Sequence, residues 1–176
     1  SCMNQNNDRL RKINTGSEKG LVHYQRDYEK SGAESFRKVF TVWTSKLFLI
    51  NQIMEENPFD TDYFAWCDVS ISRINKPKIL FTQHYQTKHI YHFNNNLMRY
   101  HGKDIKLMGG FLIAHRDAWN RLIPLYINQL QISKDSNYAH DEETLLYLIW
   151  EKNKNLFCSI DRYKPMTNFS SAKQFV

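Results

Sequence analysis

The stretch Tyr63-Phe64-Ala65-Trp66-Cys67-Asp68-Val69-Ser70 joins an apolar, aromatic run to a carboxylate and, two residues later, a hydroxyl. Such a run is expected to form a buried β-strand that delivers Asp68 and Ser70 to its carboxyl edge, where open α/β sheets place their ligands. Oxygen donors at that spacing suit a hard divalent cation held against a diphosphate, as in the Asp-x-Asp and Asp-x-Ser pairs of nucleotide-sugar enzymes. The plainer alternative is an aspartate that starts a turn after a core strand. Because strand side chains alternate, Phe64, Trp66 and Asp68 should share one face and Tyr63, Ala65 and Cys67 the other, with Trp66 buried.

Three further groups have the chemistry for a site. Gly109-Gly110 precedes the apolar run Phe111-Leu112-Ile113-Ala114, and two missing Cβ atoms let backbone approach a ligand and permit positive φ. A simple turn has the same sequence signature. Asp141-Glu142-Glu143 stands at the expected start of a helix, where the macrodipole favours carboxylates whatever their function. At a sheet edge one of them could also serve as a general base. The histidines His84, His89, His92, His101, His115 and His140 have no HExxH or comparable ligand spacing, which argues against a histidine metal site. The absence of a Walker loop, GxGxxG and GxSxG disfavours P-loop phosphoryl transfer, Rossmann dinucleotide binding and α/β-hydrolase chemistry.

The elements that must carry these residues follow from periodicity. Residues 1–35 are polar with little apolar repeat and read as a loose arm or loop, and residues 36–176 as one α/β domain. Val39, Phe40 and Val42 suggest a short strand. Leu47, Ile50 and Met54 then recur at helical spacing, with Thr44 or Ser45 able to cap the start and Asn57-Pro58 to end the helix. Strands are expected at 63–68, 79–81, 109–114 and 156–160. Trp119, Leu122, Ile123, Tyr126, Ile127 and Leu130 form the stripe of an amphipathic helix interrupted by Pro124, and a further helix opens at Asp141.

Composition bounds the function. The 176 residues are 41% hydrophobic and 14% aromatic, enough for a core, and 24 Lys+Arg against 18 Asp+Glu leave a formal charge of +6. That mild excess suits an anionic ligand or an acidic membrane surface, and it lacks the basic stripe expected of a nucleic-acid binder. Cys2, Cys67 and Cys158 are far apart and without CxxC spacing, so a reducing, cytoplasmic compartment is expected. No apolar run reaches membrane-spanning length, and any membrane contact should be peripheral.

Trp43-Thr44-Ser45-Lys46, the run from Asn57-Pro58-Phe59 to Trp66-Cys67-Asp68, Gly109-Gly110-Phe111 and His140-Asp141-Glu142 before Leu145-Leu146 together resemble the HtrL/YibB (WlaTC) family of bacterial surface-polysaccharide proteins. The likeness spans roughly residues 40–163, and the Asn-Pro-Phe to Trp-x-Asp run is its specific part. The resemblance implies a single GT-A-like glycosyltransferase domain, with a mixed, mainly parallel sheet flanked by helices. It implies a nucleotide-sugar donor, a glycan or glycolipid acceptor, and Mn²⁺ or Mg²⁺ at Asp68 with Ser70. Lys46 would be a basic partner on the preceding helix, with Trp66, Gly109 and Gly110 lining the substrate pocket and Asp141 and Glu142 facing the acceptor. Ser70 stands where many such enzymes carry a second carboxylate, and residues 1–35 do not read as the usual N-terminal nucleotide-binding unit. A non-catalytic carbohydrate- or partner-binding domain of the same ancestry is the alternative.

Overall fold

The computed structural model describes residues 18–69, 85–94, 99–100, 103–135 and 141–160. Helix α1 (Glu18–Glu56) is bent at Gly32, whose φ of 75° only glycine adopts without strain, so two helical segments meet there. Residues 18–35 are therefore helical, not the loose segment that their polarity suggested. Glu, Lys, Gln and Arg are good helix formers without any apolar stripe, and exposed pairs such as Glu34 with Lys38 at 3.1 Å add local support.

Val39, Phe40 and Val42 continue this helix and form no strand. Their β-propensity is a weak preference, overridden by the helix on either side. Thr44 lies mid-helix, and its hydroxyl donates back to the Phe40 carbonyl at 3.0 Å instead of capping a start. Leu47, Ile50 and Met54 face the core. The helix ends where expected: Asn57 takes a φ of 35°, its N–H donates to the Ile53 carbonyl at 2.8 Å, and Pro58 follows.

Strands β1 (Tyr63–Cys67), β2 (Ile90–His92), β5 (Phe111–His115) and β6 (Phe157–Ser159) form one sheet in the order β1-β5-β2-β6, and β3 (Arg99–Tyr100) pairs with β4 (Lys103–Asp104) in a separate ladder. The sheet is mixed, but β1 and β2 both run antiparallel to β5, and only β2 and β6 are parallel. The expectation of a mainly parallel sheet does not hold among the described residues. A parallel neighbour needs a long crossover, usually a helix, whereas the link from β2 to β5 contains the β3–β4 ladder. Helices α2 (Arg116–Asp135) and α3 (Glu142–Lys152) both lie between β5 and β6. The strand expected at 79–81 lies outside the described residues.

Side chains from α1, α2 and α3, among them Leu47, Trp119, Leu122 and Leu145, pack with Phe64, Leu112 and Ala114 on one face of the sheet. Tyr91, Phe93, Phe111 and Ile113 form a second cluster. The Trp119 indole donates to the Phe64 carbonyl at 3.1 Å and so ties α2 to β1. Alternation along β1 is as expected: Phe64 is buried and Trp66 partly buried against the core, while Tyr63, Ala65 and Cys67 are exposed. The strand expected to be buried is therefore covered on one face only, and among the described residues it lies at the sheet edge and pairs with β5 alone. Among the described residues no helix is long and apolar enough to cross a membrane.

Candidate functional site

Lys46 sits on α1 one turn before Ile50, in line with the apolar residues Ile50 and Met54, and this register carries its side chain under the sheet edge. At 1% exposure it is among the most buried side chains of the protein. A buried ammonium needs partners from other elements, and it has them. Its Nζ lies 2.6 Å from Glu142 Oε1, 3.1 Å from Asp68 Oδ1 and 3.2 Å from the Gly109 carbonyl. The Trp66 ring lies 5.5 Å from the same nitrogen, and its indole N–H donates to Asp68 Oδ1 at 2.6 Å.

Each partner is placed by its own local structure. Asp68 follows the last residue of β1, and its N–H donates to the Gly110 carbonyl at 2.8 Å, which extends the β1–β5 pairing by one bond. Trp66 and Asp68, two apart on the strand, therefore face the same side. Gly109 turns the chain into β5 against the start of α3. Its N–H donates to Glu143 Oε1 at 2.8 Å, and a Cβ there would meet Glu143 Cγ at 3.0 Å and Glu142 Cγ at 3.1 Å. The missing Cβ permits this close approach, since a methyl there would need the Glu142 and Glu143 side chains to give by a few tenths of an ångström; among the described glycines positive φ occurs only at Gly32. Asp141 caps α3, its Oδ1 accepting from the Thr144 N–H at 2.8 Å.

The electrostatics follow from burial. Burial, opposed by Lys46 and reinforced by Asp141, pushes the Glu142 carboxyl up to about 7. Burial together with Glu142 and Asp141 pushes Glu143 up to about 8. Burial acts to lower Lys46, but Glu142 and Asp68 outweigh it and hold the ammonium above its ordinary value. Tyr126, whose hydroxyl donates to the Thr44 carbonyl at 3.2 Å, is raised by burial and by the nearby Glu142 and Asp141. Asp68 keeps about a third of its side chain exposed and is the solvent-facing rim of the network.

Of the residues singled out from the sequence, Lys46, Trp66, Asp68, Gly109 and Glu142 meet in one cluster, Gly110 joins it through its carbonyl, and Asp141 stands beside it as a cap. Ser70 lies outside the described residues, as do His84, His101 and His140. His92 is buried with Nδ1 2.9 Å from the Phe93 carbonyl, and His115 Nδ1 accepts from the Asp117 N–H at 3.1 Å. Among the described residues no group of three His, Cys, Asp or Glu is arranged to hold a metal ion. With Lys46 in place, both oxygens of the Asp68 carboxylate face its ammonium at 3.1 and 3.3 Å, and Ser70, the other residue expected to hold the cation, lies outside the described residues. Glu143, named with Asp141 and Glu142 as a candidate carboxylate, joins the cluster through the Gly109 N–H, and Tyr126 was missed as a member of this region. The contact of Glu143 with Gly109 spans 34 residues and has no local signal; Tyr126 reads simply as part of an apolar helix stripe.

Compared with protein-family models, with curated proteins and with solved structures, the chain matches none.

Proposed function

We propose that the protein is a glycosyltransferase of bacterial cell-surface polysaccharide synthesis, which binds a nucleotide sugar at the Asp68 rim and passes its sugar to a glycan or glycolipid acceptor. The observation that supports this reading is the convergence of Lys46, Trp66, Asp68, Gly109 and Glu142, from α1, β1, the turn before β5 and α3, on one charged cluster. These are the positions where the motif resemblance puts donor and acceptor recognition.

In such a transfer the acceptor oxygen bonds to the anomeric carbon, the bond to the diphosphate oxygen breaks, and the acceptor proton passes to a base. Asp68, about a third exposed, would meet the ligand and accept hydrogen bonds from sugar hydroxyls. Glu142, held near neutrality by burial, has the proton affinity that a general base needs at pH 7. Asp141 is engaged in capping and is given no catalytic part. The net positive charge suits an anionic donor and peripheral contact with an acidic membrane surface.

The near-complete burial of Lys46 and Glu142 favours a second reading, a non-catalytic carbohydrate- or partner-binding domain whose ion network only ties elements together. A thermal-shift panel of UDP-, GDP-, CMP- and dTDP-sugars tests the first reading. One nucleotide class should raise the melting temperature, since a ligand selective for the folded state stabilises it by mass action. Asp68→Asn should abolish that rise without changing the circular dichroism spectrum. Sugar transfer or donor hydrolysis then separates enzyme from binding domain, and a flat panel overturns donor binding.

A further inference from the structure

The Lys46 nitrogen is surrounded as a metal ion would be. Four oxygens lie around it: Glu142 Oε1 at 2.6 Å, Asp68 Oδ1 at 3.1 Å, Asp68 Oδ2 at 3.3 Å and the Gly109 carbonyl at 3.2 Å. They come from three separate parts of the chain and are brought together by β1, the turn before β5 and the start of α3. Carboxylate and carbonyl oxygens are the donors chosen by hard divalent cations, which sit at about 2.0–2.6 Å from them. The charge fits as well, since two carboxylates surround one ammonium and a divalent ion would match them in full. What prevents this is covalent: the ammonium is tethered to α1 and fills the centre at a local concentration that no free ion reaches.

We propose that Lys46 is a built-in cation, occupying a latent divalent-metal site formed by Asp68, Glu142 and the Gly109 carbonyl and keeping metal out of it. The cluster of the intact protein is then metal-independent, and a neutral side chain at position 46 opens it to Mn²⁺. This goes beyond the proposed transfer reaction and does not depend on it, because its test uses Mn²⁺ alone and no nucleotide sugar.

Mn²⁺ binding to the full chain is measured by loss of the free-ion electron paramagnetic resonance signal, alongside melting temperature. The unmodified protein should show no saturable sub-millimolar binding that Asp68→Asn removes; finding such binding overturns the proposal. Lys46→Met and the smaller Lys46→Ser should each bind Mn²⁺ and gain about 2–4 °C in melting temperature at millimolar ion. If either variant is unfolded without metal, recovery of its helical circular dichroism on adding Mn²⁺ is the expected result. Adding Glu142→Gln to Lys46→Met should weaken the binding at least tenfold. Absence of any Mn²⁺ response in both lysine variants, folded or not, overturns the proposal.

Discussion

The apolar seam between α2 and α3 and the ion network at the start of α3 are neighbours, yet they are held by different physics. In the seam Trp119, Leu122, Leu145 and Leu146 are fully buried, and for the three leucines another apolar side chain of similar volume would recover most of the same burial energy. In the network each group depends on a particular partner from another element, and removing one leaves a charge or a polar atom without compensation. The seam is robust to exchange and the network is not. Buried charges are costly to keep, and the network stands where Asp68, its rim, reaches solvent.

The sharpest way to break this contrast is Lys46→Met measured without divalent metal at pH 8. Loss of the counter-ion to Glu142 and Asp68 should cost about 3–5 kcal/mol in urea unfolding, whereas the volume-conserving Leu122→Met in the seam should cost less than about 1.5 kcal/mol. Equal costs would mean that the network is no more demanding than the core.

The pH dependence sharpens the same point. Glu142 and Glu143 rise from 4.5 to about 7 and about 8 on folding, so the native state holds protons that the unfolded chain has released. Their contribution is therefore full below pH 4.5 and is lost as the pH rises through about 7 to 8. For Glu142 the loss is on the order of 3 kcal/mol, since each pH unit separating the native from the unfolded value is worth about 1.4 kcal/mol. Urea midpoints should be lower at pH 8.5 than at pH 5, and Glu143→Gln should flatten the difference.

Gly109→Ala should cost about 1–3 kcal/mol by overpacking, because the new methyl meets Glu142 and Glu143 at 3.0–3.1 Å. A neutral result by calorimetry would show that the start of α3 can yield. The smallest effect belongs to the cap: Asp141→Ala should cost about 1 kcal/mol, and Asp141→Ser should restore most of it. A loss of donor binding in Asp141→Ser at unchanged stability would bring Asp141 into the site after all.

Much of the local structure was legible. The end of α1 at Asn57-Pro58, the strand that stops just before Asp68, the stripe from Trp119 to Leu130 except the exposed Ile127, and the opening of α3 at Asp141 are written in residues a few positions apart, where period, caps and breakers act. The helical character of residues 18–35 was not, because polar helix formers leave no apolar period to read. Nor was the mid-helix place of Thr44, since a hydroxyl that could cap a start can equally bond back to the carbonyl four residues before it.

Residue types and short-range order by themselves determined which side chains could do chemistry and which turn or strand end would carry each: Asp68 at a strand end, Gly109 at a turn, Glu142 at a helix start. Only the tertiary structure decided that Lys46, on a helix face otherwise apolar, would turn inward to meet them, across 22, 63 and 96 residues. It also decided the direction of the strands. Local preferences act within a turn or a hairpin, whereas the pairing of a buried charge and the order of a sheet are settled by desolvation and packing among distant segments, where no neighbouring residue carries the signal.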